Sequence, residues 1–312
     1  LDLLPDNVRM IHGPGCPVCV TPISLIDKAV VLMEKGVILC SFGDMVRVPG
    51  SKKSLLQAKA DGGDLRILYS PLEAVQIAEK NPEKEVVFFA VGFETTAPSN
   101  ALSVVHAQKL GLNNFSLLVS HVLVPPAMEA ILDDKFCKIN AFLGAGHVNT
   151  IMGLKEYHPI AKKYKIPIVV SGFEPADLLQ AIYHAVLQLE KGEYKVENCY
   201  ERLVKEEGNV PAQNVVNEIF EIGEQEWRGI GKIPESGLVM KEKYAEFDAS
   251  RKFDISNSVN KQENLCIAGE ILKGIKKPVE CQQFGKTCNP GNPLGAPMVS
   301  SEGACAAYYH YS

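Results

Sequence analysis

No apolar run in the 312-residue chain approaches the roughly 18 residues that a membrane-crossing helix needs. Its opening, Leu1-Asp2-Leu3-Leu4-Pro5, lacks the basic and apolar regions of a signal peptide. A soluble, cytoplasmic protein with no membrane partner is expected. The sequence has no G-x-G-x-x-G, Walker loop or G-x-S-x-G, which leaves nucleotide-binding and serine-hydrolase readings without support. It also lacks a charge excess that would track phosphates: 32 Lys and Arg stand against 37 Asp and Glu, for a net charge of -5, and the basic residues are dispersed. Nucleic acid is therefore excluded as the expected partner. The chain begins without Met, almost directly on a strand-like segment from Val8 to Ile11, so a fragment lacking upstream sequence is expected.

What is present is sulfur. There are nine cysteines, an odd number, and Cys16, Cys19, Cys40, Cys137 and Cys199 lie far from the other four, unlike the paired framework of a small secreted domain. A chain of this length suggests two or three domains, each able to bury a core without disulfides. Cys40, Cys137 and Cys199 read as core residues.

From Val37 to about Gly172, short β-rich runs alternate with amphipathic stretches: Val37 to Cys40, Leu65 to Tyr69, Val86 to Val91, Ser116 to Val119, Ala141 to Leu143 and Ile166 to Val170. Runs without polar alternation belong to strands covered on both faces, the pattern of α/β folds with parallel sheets. The loops after these runs should converge on one rim, where open α/β sheets carry their ligand crevice. Two of them echo each other, Gly92-Phe93-Glu94 and Gly172-Phe173-Glu174, and hint at two similar lobes. After about Glu190 the sequence turns charged and helix-favouring, and from about Lys261 it is rich in Gly and Pro. The expected architecture is two Rossmann-like α/β lobes with parallel sheets, residues 1–112 and 113–192, followed by a helical and loop iron–sulfur domain over 193–312.

Two groups of thiols carry the chemistry. The last four cysteines follow the pattern Cys266-x14-Cys281-x6-Cys288-x16-Cys305, amid Gly and Pro that let backbone N–H groups turn toward sulfur. Soft thiolates suit iron–sulfur clusters. Zinc is the rival, although it usually takes C-x2–4-C knuckles, which this tail lacks. Near the start, Cys16-Pro17-Val18-Cys19 precedes Thr21-Pro22, read as the N-cap and first residue of a helix running to Glu34. The positive end of that helix would favour a thiolate at Cys19, as in dithiol–disulfide exchange.

At the strand ends, Asp44 and Arg47 either bind a partner or fix their loop, and Glu94 and Thr95 are rim ligands or caps of the following helix. His121 and His147 are candidates for proton transfer or iron binding, against the commoner role of structural histidines.

The blocks Gly13 to Pro22, Ser41 to Ser51, Gly92 to Pro98, Gly146-His147-Val148 and Gly172 to Pro175, with the four-cysteine tail, resemble the signature motifs of the HypD family of hydrogenase maturation proteins. The resemblance spans the chain in the family's order. It implies a scaffold on which the Fe(CN)2(CO) unit of [NiFe] hydrogenases is assembled, together with a HypC-type chaperone and a HypE-type cyanide donor. It further implies that Cys16 and Cys19 form a redox pair and that Cys266, Cys281, Cys288 and Cys305 hold a [4Fe–4S] cluster. Asp44, Arg47, Glu94, Thr95, His121 and His147 would line the crevice. The family's Cys-Gly-x-His-Thr-like motif precedes the first block and does not occur in this chain. The alternative is a disulfide reductase of the ferredoxin–thioredoxin type, in which a cluster also neighbours a dithiol; a structural protein stapled by zinc is a third reading.

Overall fold

The computed structural model describes residues 4–255 and 265–311. All six expected strands are present: β1 (Ile38–Ser41), β2 (Leu65–Ile67), β3 (Val86–Gly92), β4 (Phe115–His121), β5 (Phe142–Ala145) and β6 (Ile168–Ser171). The first four form a parallel sheet in the order β2-β1-β3-β4, joined by the crossover helices Leu55–Ala60, Pro71–Lys80 and Ala97–Lys109. β5, β6 and a further strand, β7 (Val196–Asn198), make a second parallel sheet, with the helix Pro175–Lys191 between the last two strands. The molecule is an α/β protein with two Rossmann-like lobes.

Strand β3 shows why the apolar runs were continuous. Val87, Phe89 and Val91 face a core shared with Ile26, Leu32 and Met33 of the helix Ile23–Glu34. Val86, Phe88 and Ala90 face the opposite core, beside Ala74, Ala101 and Val104 of the crossover helices. With both faces covered, no position on the strand is left for a polar side chain.

Several expectations differ from the structure. Val8 to Ile11 is not a strand, and no strand of either sheet pairs with it. β4 hydrogen-bonds to β3, so the first sheet reaches past residue 112, and β7 carries the second past residue 192. The stretch after 193 holds an antiparallel hairpin, β8 (Phe220–Trp227) and β9 (Gly231–Met240), besides its helices. β8 carries Glu221, Glu224 and Glu226 on a largely exposed face, and such charge reads as a solvated helix in the sequence. Residues 261–264, the start of the Gly- and Pro-rich tail, lie outside the described residues.

The hairpin ties the parts together. Leu123 N–H, just beyond β4, donates to Ser236 O at 2.8 Å, and Val122 bridges Gly237. At its turn Trp227, the chain's one tryptophan, is 1% exposed and donates from Nε1 to Ser236 Oγ at 2.9 Å. It packs with Val20, Phe93, Val148 and Leu272, which come from the Cys-x-x-Cys segment, both lobes and the tail. Truncating a buried indole typically costs about 3–5 kcal/mol. Trp227→Ala should lower the unfolding free energy in urea by that amount, and a loss under about 1 kcal/mol would show that the junction tolerates a cavity there.

Candidate functional site

The Cys-x-x-Cys segment folds as its own single helical turn, Pro17–Val20, distinct from the helix Ile23–Glu34. Pro17 at the first position has φ preset for a helix and no N–H to leave unsatisfied. Cys16 is the N-cap, in extended conformation, and its Sγ accepts the backbone N–H of Cys19 at 3.2 Å. Thr21, expected to cap the following helix, instead turns its hydroxyl back to Pro17 O at 3.0 Å, and Pro22 occupies the cap position without a side-chain bond. The electrostatic consequence is also reversed. Hydrogen bonds from the Cys19 thiol and backbone, with a further one from Ser300, hold the Cys16 thiol below its ordinary pKa against the opposing effect of burial. Cys19, whose thiol donates to the Cys16 sulfur and is fully buried, is pushed far upward. Of the pair, Cys16 is therefore the sulfur that ionises first, while Cys19 keeps its proton.

Ser300 donates to Asp44 Oδ2 at 3.1 Å across 256 positions of sequence. Its single hydroxyl proton serves either Asp44 or Cys16 at one time. Asp44, exposed in the turn after β1, is thus linked to the thiol pair through one hydroxyl.

The other four cysteines converge although the sequence spreads them over forty residues. Cys266, Cys281, Cys288 and Cys305 line one small cavity closed by Ile271, Phe284, Leu294 and Met298. Gly285, at φ +70, makes the turn that returns the chain to Cys288, whose Sγ accepts the Leu294 N–H at 3.5 Å. A Cβ on Gly295 would stand 2.3 Å from Cys266 Sγ, so only glycine lets the backbone come this close to the sulfur. Burial pushes the Cys266 thiol up and that of Cys305 to about 12, with charge on the neighbouring cysteines acting in the same direction on Cys305. Among the described residues, no three His, Cys, Asp or Glu side chains close on a single point suited to one metal ion.

The two sulfur sites adjoin. The turn Ala296–Met298 packs against Pro17–Val20, and Ala296 and Val299 share a core with Cys16 and Cys19. Charge on Cys305 also contributes to the upward push on Cys19.

The remaining candidates separate by exposure. Arg47 and Thr95 are exposed beside their strand ends, and His147 is exposed and stacked on Phe173 at 4.2 Å between ring centroids. His121, the last residue of β4, is fully buried, contacts Asn100 Nδ2 through Nε2 at 3.0 Å and packs on Phe220; burial lowers its pKa to about 4, which makes it a neutral interior side chain. Glu94 does not cap the helix that follows it. Its Oε1 accepts Val124 N–H at 2.9 Å, at the start of the helix Val124–Leu132, while Oε2 is buried without a hydrogen-bond partner among the described residues. Sequence reading missed Ser300 and Trp227; the lone tryptophan in a Gly-rich turn was the available signal for the second, and a serine in a tail offered none.

Fold and site together define a two-lobed α/β protein with a buried thiol pair set against a four-cysteine pocket. The family model described as HypD, hydrogenase formation hypA family, matches residues 1–312. Similar proteins include the hydrogenase maturation factor HypD of Azotobacter vinelandii, 50% identical over 99% of this chain and 84% of its own length. HypD2 of Bradyrhizobium diazoefficiens is 49% identical and HypD of Cupriavidus necator 46%, each over the same shares. The chain belongs to the HypD family. Among the described residues no helix is long and apolar enough to cross a membrane.

Two measurements check these assignments. Burial raises Glu94 to about 7 from an ordinary 4.5. The native state then favours the protonated acid, so its contribution to stability is complete below about pH 4.5 and is lost as pH rises through about 7. Urea titrations of Glu94→Gln should lack this loss, and parallel pH profiles for the two proteins would show that Glu94 is ionised throughout. In the reduced protein, peptide mapping after brief iodoacetamide treatment should find Cys16 alkylated before Cys19; the opposite order would reverse the thiolate assignment.

Proposed function

We propose that this chain is a hydrogenase maturation factor that carries out thiol redox chemistry on an iron bearing cyanide and carbonyl ligands, the Fe(CN)2(CO) unit. One observation carries the reading: the buried pair Cys16 and Cys19 shares a wall with a pocket of four further cysteines, in a chain whose relatives are named hydrogenase maturation factors. Cytoplasmic residence and work with a HypC-type chaperone and a HypE-type cyanide donor accord with that reading.

The four-cysteine pocket suits a [4Fe–4S] cluster. Its donors are soft thiols, its walls are apolar, and Gly295 leaves space at the Cys266 sulfur. Gathering four thiolates in such surroundings without cations would be prohibitive, which agrees with the raised Cys266 and Cys305 thiols. A cubane takes one thiolate on each of its four irons, so its ligands need not meet at one point. Cys266, Cys281, Cys288 and Cys305 would hold the cluster, which when bound supplies single electrons beside the thiol pair.

The protein's own residues handle the rest. Opening a Cys16–Cys19 disulfide takes two electrons and two protons and leaves two sulfurs; with Cys16 as thiolate, one of those protons stays on Cys19 and the other is released. The Cys16 thiolate is a soft donor for the substrate iron. Ser300 and Asp44 steady that sulfur from the tail and the β1 turn. Arg47, Thr95 and His147 present charged, hydroxyl and imidazole groups at the exposed rim, suited to orienting a partner protein that carries iron.

Cys16→Ala and Cys19→Ala should each abolish maturation of a [NiFe] hydrogenase in a complemented deletion strain, while iron, acid-labile sulfide and the visible absorption of the purified protein stay unchanged. Infrared spectra of the protein co-expressed anaerobically with its HypC-type partner should show cyanide and carbonyl stretches that both variants lose. Full maturation in both variants would sink the redox-pair role. Zinc without sulfide in the wild type would sink the cluster.

A further inference from the structure

A buried cation stands between the two sulfur sites. Arg228 follows Trp227 in the turn between β8 and β9 and is only 8% exposed. Its backbone N–H donates to Val20 O at 2.7 Å, one residue beyond Cys19, and its Nη1 donates to Pro49 O at 3.2 Å. On the other side its neighbour Gly229 lies against Gly269, three residues after Cys266. A Cβ on Gly229 would come within 2.8 Å of the Gly269 Cα, and one on Gly269 within 2.0 Å of the Gly229 carbonyl. Two glycines thus let the turn wedge between the Cys-x-x-Cys helix and the segment that bears Cys266.

The placement is electrostatically incomplete. A buried guanidinium is costly unless an anion or a full set of acceptors compensates it. Among the described residues no carboxylate forms an ion pair with Arg228, and the Pro49 carbonyl takes one of its five N–H donors. The groups near it that carry or adjoin negative charge are Cys266, Cys19, whose thiol is hydrogen-bonded to the more readily ionised Cys16 sulfur, and, more weakly, Asp27. Asp27 is already engaged, accepting Ser51 N–H at 2.9 Å and Ser51 Oγ–H at 2.6 Å. The matching charge for Arg228 is therefore one that the sulfur sites acquire.

We propose that Arg228 is the fixed countercharge of the redox site, standing between Cys19 and Cys266 and favouring whichever state of the sulfur groups carries more negative charge. It is a positioning residue in the electrostatic sense: it touches no substrate and sets the balance between dithiol and disulfide. A guanidinium suits this task better than an ammonium because it keeps its proton more firmly in a buried site. The inference rests on the reading that Cys16 and Cys19 form a redox couple beside a cluster. Stabilising the anionic reduced pair raises its potential, as in oxidoreductases whose reduced form is favoured. Removing the cation should shift the pair toward the disulfide.

The test is a redox equilibrium on the full chain. Purified wild type, Arg228→Gln and Arg228→Met are equilibrated anaerobically in graded mixtures of glutathione and its disulfide, quenched in acid and alkylated. The peptide bearing Cys16 and Cys19 is then read by mass spectrometry. In each turnover two glutathiones give up two electrons and two protons to open the protein disulfide. Gln keeps a donor for the Pro49 carbonyl and Met keeps the volume, so the fold is probed from two directions, and iron, sulfide and near-ultraviolet circular dichroism identify the variants that retain it. The expected result is an equilibrium displaced at least tenfold toward the disulfide, equivalent to about 30 mV for this two-electron couple. A folded, cluster-bearing variant within about twofold of wild type would overturn the inference, because a purely structural arginine changes stability and leaves the potential alone. A wild type that forms no Cys16–Cys19 disulfide at any ratio, or that lacks iron and sulfide, would instead overturn the reading on which the inference rests.

Discussion

The apolar junction around Trp227 is the contact on which the site depends. Val20, Phe93, Val148 and Leu272 are scattered across most of the sequence and belong to four different parts of the molecule, yet all share one apolar cluster with this indole. Each is close in sequence to a residue of chemical interest: Val20 to Cys19, Phe93 to Glu94, Val148 to His147 and Leu272 to Cys266. Burial of these side chains, at about 25 cal/mol per Å2 of apolar surface, is non-directional and cannot itself aim a thiol. Direction comes from the short polar contacts at the edge of the junction, including Trp227 to Ser236, Arg228 N–H to Val20 O and Leu123 N–H to Ser236 O. Packing supplies the cohesion and hydrogen bonds supply the register.

Around this junction, burial acts on the sulfurs unequally. The thiols of Cys19, Cys40, Cys266 and Cys305 are all raised, with desolvation among the leading causes. Cys16 is the exception because the turn aims a backbone N–H and a neighbouring thiol at its sulfur. The asymmetry is useful chemically. In exchange chemistry the thiolate is the reactive form, so a pair in which one member is ionised and the other retains its proton has distinct attacking and resolving sulfurs without any external base.

Much of this was legible in the sequence. The six strands of Val37 to Gly172 could be located because two-sided burial writes itself as an unbroken apolar run, and the cysteine spacings singled out the same six thiols that line the two adjoining sites. The illegible parts share a physical reason: they depend on contacts between distant residues. β8 and β9 bury only part of their surface, and their glutamates hide the strand period. Cys16 and Cys19 could be recognised as a pair, but the choice of thiolate followed from a turn whose N-cap is Cys16 and not Thr21. His121 stands at a strand end like a rim ligand, and only the packing of Phe220 from the hairpin shows it to be an interior residue. Ser300 and Arg228 have no motif, since a hydroxyl 256 positions from its acceptor acquires meaning only when the chain has closed.

That closure has a consequence for how the two sulfur sites relate. The wall beside Cys16 and Cys19 is built from Ala296, Val299 and Ser300, in the same tail that carries Cys288 and Cys305. The tail's regular structure is short: the helix Ala268–Leu272, single turns and a few glycines connect its cysteines, and the last of them lies in the helix Ala304–Tyr311. The turns carry their own backbone hydrogen bonds, such as Gly285 N–H to Cys288 O at 3.0 Å and Met298 N–H to Gly295 O at 3.1 Å, and a metal group on the tail's thiols would add to that order, because metal binding to a site absent from the unfolded chain contributes directly to folding. On the proposed reading, filling the four-cysteine pocket would therefore also steady the wall beside the thiol pair. The same tail that would bring electrons to Cys16 and Cys19 places the Ser300 hydroxyl beside the Cys16 sulfur, so the proposed electron source and one of the contacts that favour ionisation at Cys16, against the effect of burial, would arrive together.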